Sequence, residues 1–167
     1  AGLSPRVNMF TRIQTRAYRS LKAVDQMLGP FQALVGPNAS GKTTFLDVVG
    51  FLSDIMRKRG EIATVVQDRS ATFEKLLWMG QGDAFQLAVE AQIPAAVRAT
   101  MSDSLNESDR VRYEIEVGIV DGEVGINHET LWIVRHEKAA TAKQVELFPA
   151  PQATMPDLIS RPGRGRK

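Results

Sequence analysis

From residue 9 the chain alternates. Met9, Thr11, Ile13 and Thr15 fall on one side, and Phe10, Arg12, Gln14 and Arg16 on the other. This period of two is that of a half-buried strand over residues 9–17. Weaker alternation through Leu21, Ala23 and Met27 predicts a second strand, ended by Gly29-Pro30. Residues 31–35 (Phe-Gln-Ala-Leu-Val) form a short apolar run, predicted to be a buried strand. The period then changes. Phe45, Leu46, Val48, Val49, Leu52, Ile55 and Met56 recur at helical spacing, with Asp47 and Asp54 off the stripe. An amphipathic helix from Thr43 is expected, closed by Arg57-Lys58-Arg59 at the negative end of its dipole and stopped by Gly60.

Residues 61–69 suggest another short helix, and residues 73–79 suit either a strand or a helix. After Gly80-Gln81-Gly82, the residues Phe85, Leu87, Val89, Ala91 and Ile93 alternate with Gln86, Ala88, Glu90 and Gln92 until Pro94. Residues 98–110 read as an exposed loop. Val111, Tyr113, Ile115, Val117 and Ile119 alternate with Arg112, Glu114 and Glu116, and Asp121-Gly122 signals a hairpin. The return strand runs through Val124 and Ile126 towards residues 130–134. Residues 145–148 suggest one more short strand.

The fold class expected is therefore α+β. One strand–loop–helix unit is combined with an antiparallel meander, without the βαβα rhythm of a doubly wound fold. Residues 1–148 would form the lobe, and residues 149–167, rich in Pro, Gly and basic residues, a flexible tail or truncation point.

Composition narrows the chemistry. At 167 residues and 43% hydrophobic, the chain suffices for one domain with a core. There is no cysteine, which excludes disulfides and thiolate metal sites. No apolar run reaches membrane-spanning length, so a cytoplasmic protein without membrane contact is expected. The net charge of +2 is too small to argue for nucleic acid. Arg6, Arg12, Arg16, Arg19 and Lys22 form a basic stretch for which solvated strand faces are the plain reading; its functional reading places Arg19 beside a bound anion. DNA contact by the basic triplet or the tail is the corresponding alternative.

Between the apolar run and the helix stands Gly36-Pro37-Asn38-Ala39-Ser40-Gly41-Lys42-Thr43, which reads G-x-x-x-x-G-K-T. Strand, glycine loop and helix are the context in which that pattern cradles polyphosphate. Main-chain N–H groups around the loop point inward, and the helix start adds its positive end. Lys42 is expected to reach the β- and γ-phosphates, and the Thr43 hydroxyl to ligate Mg²⁺, with Thr44 beside it. The expected ligands are thus ATP and Mg²⁺.

Hydrolysis also needs an acid at a strand end and a group that orients water. Asp121 and Glu123 follow an apolar stretch, but Asp-Gly is itself a turn signal. No Leu-Ser-Gly-Gly-like signature occurs. His128 and His136, with Glu129 and Glu137 beside them, lack the spacing of a zinc helix. Two other classes stay open. One is a kinase or GTPase, for which an Asn-Lys-x-Asp element is missing. The other is an interaction module with a vestigial loop.

Tyr18-Arg19-Ser20-Leu21, followed by Pro30 through Asp47 with its Gly-Pro-Asn-Ala-Ser-Gly-Lys-Thr-Thr core, resembles the N-terminal lobe of ABC-type AAA-family ATPases, similar to RecF, SMC and OLD-family proteins. The match is specific over residues 9–56 and architectural over residues 80–135. The resemblance implies a loop asparagine at Asn38, an arginine near the nucleotide at Arg19, and an antiparallel sheet after the first helix. It also implies ATP-driven homodimerisation in the parent protein. Complete members carry a signature motif, an acidic strand end and a switch histidine in a C-terminal lobe, none of which is found here. The chain is accordingly expected to be an N-terminal fragment or one half of a split ATPase, missing its C-terminal lobe.

Overall fold

In the computed structural model, residues 9–58, 61–101, 108–135 and 159–161 are described. The first alternating run folds as β1 (Phe10–Tyr18) and turns back into β2 (Leu21–Met27). Helix α1 (Lys42–Arg57) and the short α2 (Ile62–Gln67) follow. The undecided stretch at residues 73–79 resolves into two tight helical turns, Phe73–Leu76 and Trp78–Gly80. Between them Leu77 makes a single antiparallel bridge to Tyr18, so the segment combines both expectations. Then come β3 (Ala84–Gln92), a one-turn α3 (Ala95–Arg98), β4 (Ser108–Val120), β5 (Glu123–Arg135) and the short β6 (Ile159–Arg161).

The strands make one antiparallel sheet in the order β2-β1-β3-β4-β5-β6. The architecture is α+β, as the periodicities imply. Asp121 and Gly122 both take positive φ, 53° and 86°, which is the backbone of a tight hairpin and confirms the turn reading there.

One face of the sheet is apolar and carries α1 and α2. From α1, Phe45, Val48, Phe51, Leu52 and Ile55 are buried. Tyr18, Phe51, Phe73 and Phe85 form an aromatic cluster with ring centroids 4.9–5.9 Å apart. Edge-to-face and offset pairs of this kind add to simple burial. Leu46 and Met56 do not join this core, contrary to the sequence stripe, and Phe51 takes the central place. The helix meets the sheet along one narrow line, so positions at the margins of the apolar stripe stay in water.

The other face is polar yet buried. Glu90, Arg112 and Glu114 stand on adjacent strands, with Arg112 donating to Glu90 at 3.2 Å and to Glu114 at 2.8 Å. The Arg112 guanidinium lies 5.6 Å from the Trp132 ring centre. At the sheet's edge Arg12 forks onto Asp25 at 2.5 and 2.7 Å. That hydrogen-bonded ion pair holds the Asp25 carboxyl below the usual carboxylate range.

One predicted element is not formed. Residues 31–35 are not a strand, and Phe31 and Val35 are 88% and 92% exposed. A strand exists only where a neighbouring backbone accepts and donates its ladder bonds. Apolar periodicity reports a wish for burial and is silent about the partner. The helix stop expected at Gly60, the strand expected at residues 145–148 and the tail expected at residues 149–167 lie outside the described residues, apart from β6.

Candidate functional site

The glycine loop sits where the chain enters α1. Asn38 and Ala39 make a turn, with Ala39 at φ 63°, and Gly41 is left-handed at φ 90°. Positive φ at alternate residues turns successive amides to the same side, the geometry of an anion-binding nest. The first intrahelical bond runs from the Phe45 N–H to the Gly41 carbonyl at 2.8 Å. The amides of Lys42, Thr43 and Thr44 therefore precede the ladder, and no side chain caps them. Residues 36–40 are exposed throughout.

Lys42 folds back over the loop. Its ammonium donates to the carbonyls of Gly36 and Pro37 at 2.8 and 2.7 Å and to Ser40 Oγ at 3.3 Å. The helix-start amides are donors only and suit an anion with many acceptor oxygens, whereas the ammonium is engaged by the loop's own oxygens. The Thr43 side chain is exposed at the helix start, a hard oxygen of the kind Mg²⁺ accepts. The Thr44 hydroxyl is engaged with Ser20 Oγ at 3.1 Å. These residues thus fit a magnesium–polyphosphate ligand.

Arg19 lies in the β1–β2 turn with φ 50°, one residue from Ser20. Its amide donates to the Leu76 carbonyl at 2.8 Å, which ties the turn to the first helical turn of residues 73–76. Its side chain pairs with Asp47 of α1 at 3.3 Å. Asp47 also accepts from the Tyr18 hydroxyl at 2.6 Å and from Arg69 Nε at 3.1 Å. Burial, reinforced by that bond, pushes the Tyr18 phenol well above its ordinary range.

Sequence reading missed Asp47 and Arg69 as partners of the site. A signal was present. Asp47 and Asp54 are seven residues apart, two helical turns on one face, and Arg69 bridges both, reaching Asp54 at 2.7 Å. Beside the loop, a groove of about 350 Å³ is lined by Leu21, Val24, Leu34, Val35, Pro37 and Phe45 among others.

Three further sequence candidates have partners away from the loop. Lys58 pairs with Asp68, and Lys22 lies 5.0 Å from the Trp78 ring centre. His128 Nε2 shares a 2.7 Å hydrogen bond with Thr130 Oγ1, and His136 lies outside the described residues. Among the described residues no cluster of His, Asp and Glu could hold a metal, and no helix is long and apolar enough to cross a membrane.

A family model described as "AAA domain, putative AbiEii toxin, Type IV TA system" matches residues 31–140, from the apolar run through β5. The chain belongs to this AAA-domain family. The chain is also similar to an "OLD nuclease" of Thermus scotoductus (strain ATCC 700910 / SA-01), 46% identical over 41 residues. That stretch is 25% of this chain and 8% of the relative, so the chain matches only a small part of the relative's length. AAA membership bears out the family resemblance read from the loop, and it implies nucleotide binding.

Proposed function

We propose that this chain is the ATP-binding lobe of a P-loop ATPase of the ABC, SMC and RecF type. The observation that carries the reading is the loop of residues 36–44. Left-handed Ala39 and Gly41, three helix-start amides outside the ladder and the Lys42 ammonium all fall within this stretch. Backbone donors of this kind grip phosphate oxygens, with the helix dipole adding to them. Lys42 would hold the β- and γ-phosphates, Gly36, Pro37, Asn38, Ala39, Ser40 and Gly41 would form the cradle, and Thr43 would ligate Mg²⁺ with Thr44 beside it. The bound ion supplies charge neutralisation on the phosphates.

Turnover is assigned to a completed site. The exposed apolar run at residues 31–35 flanks the loop and suits cover by a second lobe, which would be the C-terminal ATPase lobe of the parent protein. In the parent protein two such sites would close as an ATP-dependent homodimer in the cytoplasm. The chain alone would bind ATP and hardly hydrolyse it.

Calorimetric titration of wild type and Lys42→Ala with ATP and GTP, with and without Mg²⁺, tests this. Expected are Mg²⁺-dependent ATP binding by the wild type and its loss in Lys42→Ala. Equal binding by the two proteins, or none at millimolar nucleotide, would overturn the reading.

A further inference from the structure

Asp47 holds two guanidinium groups on one carboxylate, and they are held unequally. Arg69 is only 11% exposed, bonds Asp47 and Asp54, donates to the Val65 carbonyl at 3.2 Å and lies 4.9 Å from the Phe51 ring centre. Arg19 is 35% exposed and touches Asp47 through one nitrogen at 3.3 Å. This part-buried contact is long and made through one nitrogen, so it contributes less than the paired bonds of Arg69. If Arg19 leaves, Arg69 and the Tyr18 hydroxyl still satisfy Asp47, so no uncompensated charge is left behind.

Arg19 also stands next to the loop. The neighbouring Ser20 hydroxyl reaches Thr44, and a β-carbon on Gly41 would lie 3.2 Å from it. We propose that Asp47 is a positioning residue that parks Arg19 beside the phosphate loop and releases it to a nucleotide phosphate, with Arg69 staying behind to neutralise the carboxylate. This inference rests on the nucleotide reading above. The phosphate and Asp47 then compete for the same guanidinium, so the parked pair weakens ATP binding by the strength of one part-buried contact. Arg69 shares the carboxylate and so makes release easier.

The experiment is a Mg²⁺–ATP titration by calorimetry of wild type, Arg19→Gln, Asp47→Asn, Arg69→Gln and the two doubles with Arg19→Gln. Arg19→Gln should weaken binding at least about ten-fold, the loss of a charge-assisted hydrogen bond. Asp47→Asn should tighten it roughly two- to five-fold, the release from a long ion pair made through one nitrogen. Arg69→Gln should weaken it by a similar factor, because Asp47 then holds Arg19 harder. Both of these effects should vanish in the Arg19→Gln background, which a merely structural role would not produce. No change in Asp47→Asn, or the same change with and without Arg19, would overturn the proposal. Should Asp47→Asn fail to fold, the Arg69→Gln pair decides by the same criterion. If Lys42→Ala binds ATP like wild type, the nucleotide reading itself fails. If Lys42→Ala loses ATP while Arg19→Gln is neutral, only this inference does.

Discussion

Gly41 backs directly onto Leu21. A β-carbon on Gly41 would lie 2.8 Å from Leu21 Cδ2, and Gly41 holds φ at 90°. The second glycine of the loop therefore meets two separate demands, a left-handed backbone and close approach to the start of β2. Gly122 in the β4–β5 turn shares only the first, with φ 86° and nothing within 4 Å of its would-be β-carbon.

The two glycines make a matched pair for mutation. Gly122→Ala should cost about 1–2 kcal/mol, the left-handed penalty alone. Gly41→Ala should cost more, because Leu21 must also move, and it should weaken nucleotide binding as the start of α1 shifts. Urea unfolding of the two variants measures the difference. Equal costs would show that the Leu21 contact relaxes freely.

Most of the sheet was legible because its strands carry their own address. Phe85 and Leu87, or Ile115 and Val117, alternate strictly and are buried as that alternation requires. The loop was legible because phosphate-binding geometry fixes residue types at fixed spacing, as at Gly41 and Lys42. Residues 31–35 misled for the opposite reason: their pattern states apolarity, while a strand is a property of two segments. Asp47 was passed over because its one local mark, a second carboxylate two turns on at Asp54, names no partner. Its meaning comes from Tyr18, Arg19 and Arg69, 29, 28 and 22 residues away.

The buried Tyr18 phenol gives a pH signature. Its pKa is raised above the ordinary value first by burial and then by the bond to Asp47, so the fold favours the neutral form. The stability this contributes is whole below about pH 10, the unfolded value, and is lost progressively as pH rises above it. Tyr18→Phe should lower stability at neutral pH by about 1.5–3 kcal/mol, a hydrogen bond to a charged group. It should also flatten the alkaline limb. Urea midpoints on either side of about pH 10 check both statements. A limb equally steep in Tyr18→Phe would assign it to another group.

The polar sheet face should be sensitive to the loss of one charge. Arg112 sits between Glu90 and Glu114, all three nearly inaccessible to water. Glu90 also pairs with Arg12 at 3.5 Å and Arg110 at 3.3 Å, whereas Glu114 pairs with Arg112 among the described residues. Arg112→Met should destabilise by about 3–5 kcal/mol, since it strands a buried carboxylate. Adding Glu114→Gln should recover part of that loss. A double variant no more stable than Arg112→Met would place the cost in lost packing against Trp132 instead.

The exposed run before the loop gives the converse case. Phe31 and Val35 are 88% and 92% accessible, so their side chains leave little water on folding. Burial stabilises in proportion to apolar area removed from solvent, and here almost none is removed. Phe31→Ser with Val35→Ser should therefore change unfolding free energy by no more than about 0.5 kcal/mol. Phe45→Ser, one turn into α1 and buried, should cost several kcal/mol, of the order seen for truncated core side chains. The paired substitution should at the same time reduce concentration-dependent association, because it removes an apolar patch that water does not favour. Urea unfolding and sedimentation velocity on the same samples give the two readouts. A loss of about 2 kcal/mol or more would mean that these residues are buried in solution, a burial worth the transfer of a large apolar side chain. The run would then have found its strand partner within the chain, and the second-lobe proposal would lose its support.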